Sequence, residues 1–249
     1  MIKNEREQEI LNALRSSGYV SVHDLSRSLY ISESTVRRTL ANLEEKGMIK
    51  RSYGGAELLD SYAHVPTFGA RAHHNVEAKK EIAKKAATLV PDGSIIFLDQ
   101  SSTAFYLAGE LLNKSKLTVM TNNVEILSLL SQTDFTVYSS GGRLSEYNRM
   151  CLVDTEAERS FGDIYAEFAF FSAKALTQTG IISDCQREEI SVRNAMLRNA
   201  DMKIFLCDCK KFGTRAAYRQ CSLDDLDCLI SEGNAAEQYR EQFPRLRIL

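Results

Sequence analysis

Residues 21–58 read SVHDLSRSLYISESTVRRTLANLEEKGMIKRSYGGAEL, and the kind of molecule this chain is depends on how that stretch folds. Ser21 can cap a helix, with Asp24 as its box-like partner and Val22, Leu25 and Leu29 as a buried stripe. Ile31 is a turn residue pointing inward. Ser32 or Ser34 then caps a further helix, whose Val36, Leu40 and Leu43 pack and whose end Gly47 marks. MIKRSYGGAEL reads as two short strands joined around Gly54-Gly55. Upstream, Ile10, Leu11 and Leu14 fall at helical spacing, and Gly18 ends that helix. Three helices and a hairpin make a winged helix-turn-helix.

The second helix of such a unit lies in the major groove of DNA, its N-terminal residues toward base edges and phosphates. With Val36 and Leu40 turned to the core, Ser34, Thr35, Arg37 and Arg38 fall on or near the solvent face. Hydroxyls and guanidinium groups hydrogen-bond phosphates and guanine edges, and the helix N-terminus adds unpaired N–H groups that favour phosphate. Lys50 and Arg51 open the hairpin beside that helix, and Gly54-Gly55 offers a thin tip able to follow the neighbouring backbone. Glu44 and Glu45 are expected at the far end of the helix, which leaves the basic groups gathered on one edge. Adjacent arginines alone are usually just a solvated helix face. In this spacing, followed by a basic hairpin, they favour double-stranded DNA as a partner.

The rest of the chain narrows the possibilities. Its 249 residues, 44% hydrophobic and 26% charged, suit a small domain plus a medium one. A net charge of -2 means that any nucleic-acid binding has to come from a local patch. The N-terminus MIKNEREQEILNAL lacks the apolar core of a signal peptide. The longest apolar runs, at 95–98 and 168–171, fall far short of the roughly 20 residues of a membrane span. A cytoplasmic protein without a membrane partner is expected. Six cysteines in no regular framework read as reduced thiols, with Cys207 and Cys209 as small buried residues on one face of a strand. His64, His73 and His74 have no Cys or acidic partner at ligand spacing, so neither metal nor cofactor is expected.

Residues 59–74 read as a linker, interrupted by Asp60, Ser61, Pro66 and Gly69, between a DNA-binding unit at 1–58 and a second unit at 75–249. In the second unit, helical patterns such as EAKKEIAKKAATLV, STAFYLAGELL, NVEILSLLSQ and SVRNAMLRNA alternate with the strand-like SIIFLD, LTVMT, FTVYSS, AEFAFFSA, KIFLCD and CLIS. Continuous apolar strands between helices point to an α/β domain with a largely parallel sheet. Ligands of such sheets bind at the carboxyl ends of the strands. Four loops there carry suitable groups. LDQSSTAF supplies Asp99, Ser101, Ser102 and Thr103; TNN supplies Thr121 and Asn122; SSGGR supplies Gly141, Gly142 and Arg143; CDCKKFG supplies Asp208 and Lys211. Each alone is an ordinary cap or turn, but four after successive strands favour a polyanionic sugar.

The same N-terminal residues carry a resemblance. Ser32, Thr35, Arg37, Arg38, Leu40, Leu43, Glu44, Gly47, Arg51, Gly54, Gly55 and Ala56 fall where the deoxyribose-operon-repressor (DeoR) family of bacterial transcription regulators has its motif. The likeness continues through FGAR and NVEAKKEIA into the second unit. There the family's Leu-Asp-Ser-Gly-Thr-Thr, Thr-Asn, Gly-Gly and Asp-x-x-Lys-Phe fall on Asp99, Thr103, Thr121, Asn122, Gly141, Gly142, Asp208 and Lys211. The resemblance implies a repressor of a sugar-utilisation operon, released by a phosphorylated sugar bound in a C-terminal domain similar to the ribose-5-phosphate-isomerase and CoA-transferase folds. It also implies DNA contact by Ser32, and the helix-turn-helix implies a homo-oligomer, dimer or tetramer, reading paired half-sites.

The chain departs from the family at Thr39 (family Asp), at Ser101 and Asp154 (family Gly), and at Ala173-Lys174, where a glycine is expected. Ser101 would narrow the room for phosphate, and Asp154 would repel it if it faced the site. Two other readings stand beside the regulator. One is an isomerase-like enzyme using Asp99, Asp208 and Lys211, against which no nucleophile or nucleotide motif is present. The other is an effector-independent DNA binder with a degenerate sensor.

Overall fold

The computed structural model describes residues 3–17, 19–45, 48–52, 54–58 and 68–249. Gly18, Gly47, His64 and linker positions 59–67, Pro66 among them, lie outside the described residues. The chain divides into two compact units, Met1–Ala70 and Arg71–Leu249.

The first unit runs α1 (Lys3–Ser17), β1 (Tyr19–Ser21), α2 (Val22–Ser28), α3 (Glu33–Glu45), β2 (Ile49–Ser52) and β3 (Gly55–Leu58). Ile10, Leu11, Leu14, Val22, Leu25, Val36, Leu40, Leu43 and Ile49 form its core, so the helical spacings become one buried cluster. Ser21 caps α2, accepting from the Asp24 N–H at 3.0 Å. The box is not reciprocal, because Asp24 instead accepts from the Ser21 hydroxyl at 2.6 Å. Ser32 caps α3 by accepting from the Thr35 N–H at 3.3 Å. The wing has a strand more than the hairpin expected: β1 adds to β3, giving the antiparallel order β1-β3-β2. Three residues are too few to show a strand pattern, so β1 exists only through its partner.

The helix α4 (Phe68–His73) lies where the sequence reads as linker. The second unit continues with α5 (Val76–Ala87), β4 (Ile95–Leu98), α6 (Ser102–Glu110), β5 (Thr118–Thr121), α7 (Val124–Leu130) and β6 (Thr136–Ser139). Next come β7 (Arg143–Leu144), β8 (Leu152–Val153), α8 (Thr155–Gly162), β9 (Ala166–Phe171), β10 (Ala175–Leu176) and β11 (Ile181–Asp184). The chain ends with α9 (Arg187–Arg198), β12 (Ala200–Leu206), β13 (Tyr218–Ser222), β14 (Cys228–Ile230) and β15 (Arg247–Ile248).

Seven strands form one parallel sheet in the order β15-β14-β12-β9-β4-β5-β6. Alternate strand residues feed the two faces. Ile96, Leu98, Val119, Phe170 and Ile204 pack with α5, α6 and α7, while Phe97, Met120, Phe171 and Phe205 pack with α8 and α9. Strand order reverses between β4 and β9, and that is the topological switch point where an open α/β sheet leaves a crevice. A small antiparallel sheet, β10-β11-β13, and the pair β7-β8 stand beside the main sheet. The expected strand carrying Cys207 and Cys209 ends earlier, at Leu206. Cys207 is buried, whereas Cys209 is exposed in a 3-10 turn, so the two do not share a strand face.

Candidate nucleic-acid interface and effector site

On α3, Ser34, Arg37 and Arg38 are exposed and Thr35 is half-buried, while Val36, Thr39 and Leu40 turn inward. Thr39, where the family has Asp, donates its hydroxyl to the Thr35 carbonyl at 2.9 Å and needs no charged partner. Arg37 pairs with Glu33 one turn back at 3.2 Å, and Arg38 has no acidic partner among the described residues. Lys50 approaches Glu57 only at 4.0 Å. Arg51 does not join a purely basic edge. Its Nε meets Glu44 at 2.6 Å and its backbone N–H meets the same carboxylate at 3.0 Å, which holds the Glu44 carboxyl below its ordinary value. Glu44 therefore ties α3 to the wing, so the expectation that it sits apart from the basic groups is corrected.

The two wing glycines differ. Gly54 is exposed with φ 80, a left-handed turn conformation. Gly55 is buried in β3, where an added Cβ would stand 2.4 Å from the Val20 carbonyl and 2.5 Å from the Tyr19 hydroxyl. Its missing side chain makes room for β1, so only Gly54 forms the exposed tip.

In the second unit, the loops after β4, β9, β11 and β12 meet at the switch point. Asp99 is fully buried and accepts from the Ser101 N–H, the Ser172 N–H and the Arg193 Nε, each at 3.1 Å. Arg193, 1% exposed, also pairs with Asp184 at 3.1 Å and donates to Gln220 at 2.5 Å. Asp99 thus joins β4, β9 and α9, and its carboxylate is taken up by protein donors. Ser101 is the N-cap of α6, with φ -75 and its hydroxyl accepting from the Ala104 N–H, so a serine fits where the family has glycine. Ser102 and Thr103 occupy the buried first turn of α6.

After β5, Thr121 accepts from the Asn123 N–H, and Asn123 caps α7. Asn122 donates to the Leu152 carbonyl at 3.0 Å and to the Cys151 sulfur at 3.4 Å. Gly141 and Gly142 both take positive φ, 66 and 87, in the turn before Arg143, whose side chain pairs with Glu188. Asp154, at φ 102, caps α8 by accepting from the Glu156 and Ala157 N–H groups, and accepts from the Arg143 N–H at 3.0 Å. Three backbone N–H groups therefore occupy its carboxylate oxygens.

Asp208, buried after β12, accepts from Asn75 at 2.9 Å and pairs with Lys211 at 3.4 Å. Burial pushes its carboxyl up, but Lys211 and Asn75 outweigh that and hold it below its ordinary value. Lys211 also donates to the Ser172 hydroxyl at 2.8 Å, which ties this loop to β9. Lys79 on α5 donates to the carbonyls of Arg71 and His74, and burial, aided by the charge of Lys211, lowers its ammonium to about 8.

The switch point therefore brings Asp99, Ser101, Ser172, Asp208 and Lys211 into one hydrogen-bonded set, while Arg143, after the Gly141-Gly142 turn, holds to Asp154 and Glu188. Sequence reasoning missed Asn75, Lys79, Gln100, Ser172, Asp184, Glu189 and Arg193. One signal was available: Arg193 falls on the buried stripe of α9 with Ile190 and Met196, and an arginine there needs buried acids.

Two family profiles match the chain. One, described as a DeoR-like helix-turn-helix domain, covers residues 6–62, and the other, a DeoR C terminal sensor domain, covers residues 74–233. The chain is 33% identical to the HTH-type transcriptional regulator GolR of Listeria innocua, over 98% of this chain and 96% of that protein. It is 29% identical to the glycerol-3-phosphate regulon repressor of Escherichia coli, over 93% of this chain and 92% of that protein. Among solved structures, ribose 5-phosphate isomerase A of Methanocaldococcus jannaschii aligns over 55% of each chain at 20% identity, with a TM-score of 0.42.

Proposed function

Since this chain belongs to the DeoR family of helix-turn-helix transcriptional regulators, we propose that it represses a carbohydrate-utilisation operon and that a phosphorylated sugar modulates its hold on the operator. The observation that carries the DNA-binding half is the outer face of α3, where Ser34, Thr35, Arg37 and Arg38 stand clear of the core at the start of a helix. Ser32 closes that N-terminus, and Lys50, Arg51 and Gly54 hold the flanking phosphates. Gly55 supports them from within the sheet.

For the effector half, Ser102 and Thr103 at the N-terminus of α6 supply donors for a phosphate, and Lys211, held by Ser172 and Asp208, supplies a cation. Thr121, Asn122, Gly141, Gly142 and Arg143 line the neighbouring loops, with Asp99 positioning rather than contacting. The name of the Escherichia coli relative, a glycerol-3-phosphate regulon repressor, supports a phosphorylated carbohydrate as the signal. The relatives are named as regulators, which supports a chain that senses its ligand rather than turning it over. The working form is a cytoplasmic dimer or tetramer on paired half-sites.

Genomic fragments recovered by the full-length chain supply the operator for the test. Changing Arg37→Ala together with Arg38→Ala is expected to weaken operator binding at least about a hundredfold and to reduce the salt slope by about 2 for each protomer on a half-site. The far-ultraviolet circular dichroism should not change. Unaltered operator affinity in that variant would overturn the assignment.

A further inference from the structure

Gln100 and Glu189 form a buried amide–carboxylate pair beside the switch point. Gln100 follows Asp99 and precedes the α6 cap, and Glu189 lies in the first turn of α9. They are 1% and 3% exposed. The Gln100 Nε2 donates to Glu189 Oε2 at 2.9 Å, which fixes the amide with its oxygen free. Gln100 Oε1 and Glu189 Oε1 are both buried with no hydrogen-bond partner among the described residues. The Asn122 amide oxygen, after the adjacent strand, is likewise buried and unpartnered, its NH2 being held by Leu152 and Cys151. Arg193 does not serve them, since its hydrogen bonds and ion pairs go to Asp99, Asp184 and Gln220.

Buried acceptors are normally satisfied. We infer that Gln100 and Glu189, with Asn122, form a specificity subsite that receives neighbouring hydroxyl groups of the effector. This rests on the reading of the second unit as a sugar sensor. An ionised phosphate offers only acceptors and finds no donor at the free oxygens of this pair, so it belongs at the α6 N-terminus. The hydroxyl-bearing carbons then lie over the Gln100–Glu189 pair. The effector class is a polyhydroxylated sugar or sugar alcohol with two adjacent donors remote from its phosphate. A deoxy analogue at either position is rejected, because it leaves a buried acceptor unpaired. The family's stretch has serine at the place of Gln100, so this chain carries its own acceptor there and with it its own selectivity.

The test titrates the full-length chain with triose, tetrose, pentose and hexose phosphates, their unphosphorylated sugars, and monodeoxy analogues of whichever binds tightest. The wild-type chain is expected to discriminate at least about tenfold between parent and one deoxy analogue. In Glu189→Ala and in Gln100→Ala, each of which removes its acceptor, that ratio should collapse toward one for the hydroxyl it received, which a merely structural role would not produce. Two variants are used so that one misfolded protein does not decide the matter. A ratio unchanged in both overturns the subsite and leaves the phosphosugar reading in place. Binding of unphosphorylated sugars alone overturns the phosphate, while the ratio still judges the subsite. No binding by any of these probes overturns both.

Discussion

Asp154 holds φ 102 and ψ -176, a region glycine enters freely and other residues enter at a cost of about 1–3 kcal/mol. Its carboxylate offsets that cost by capping α8 and holding the Arg143 N–H. Backbone strain and side-chain capping can be separated by two substitutions. Asp154→Ala keeps the strain and loses the cap, so the full-length chain should lose about 1–2 kcal/mol in guanidinium denaturation. Asp154→Gly loses the cap but relieves the strain and should stay within about 1 kcal/mol of the parent. Equal losses in the two would show that the strain is not real. At this scale the sequence reveals residue types and hides their partners. Asp99 is legible as a strand-end carboxylate, but that Ser172 and Arg193 satisfy it is not, because Ser172 lies 73 residues away and Arg193 94.

The wing shows the same contrast among elements. Alternation and the two glycines make the hairpin readable, yet the reason for Gly55 lies in β1, which no pattern announces. A Cβ at Gly55 would strike the Val20 carbonyl, a backbone atom that cannot swing aside. Gly55→Ala is therefore expected to cost about 2 kcal/mol or more through overpacking. It should lower the melting temperature of the DNA-binding unit and weaken operator binding without touching an exposed side chain of α3. A melting temperature unchanged in Gly55→Ala would refute the β1–β3 packing. The long periodic elements of the second unit were legible because both faces of their sheet are buried, which makes β4, β5, β9 and β12 read as apolar runs between helices. The segment 68–73 was not, since one and a half helical turns are too short for a period.

Across the whole molecule, burial sets the response to alkaline pH. It pushes the thiols of Cys185 and Cys228 to about 11 and that of Cys221 to about 12, and raises Cys207 further. Unfolded thiols lose their protons near 9, so above that pH the folded chain binds more protons and stability falls as pH rises. Lys79 acts oppositely: lowered to about 8 when folded, it favours folding as pH rises from 8 toward 10.5. Cys151 and Cys209 are raised as well, and one lysine against six thiols leaves a net loss. The denaturation midpoint under reducing conditions should be lower at pH 10.5 than at pH 8.5, and a higher midpoint would mean the thiols are accessible. The winged helix-turn-helix, the alternating α/β unit and the solvent-facing side chains of α3 are legible in the amino-acid order alone, because periodicity, caps and helix faces are local properties written within a few residues. Only the folded chain shows that Arg51 is tied to Glu44, that Gly55 makes room for a third strand, and that Gln100 and Glu189 stand buried with acceptors to spare. Those facts depend on pairings between distant segments, and a chain read in one dimension does not record which buried charge meets which.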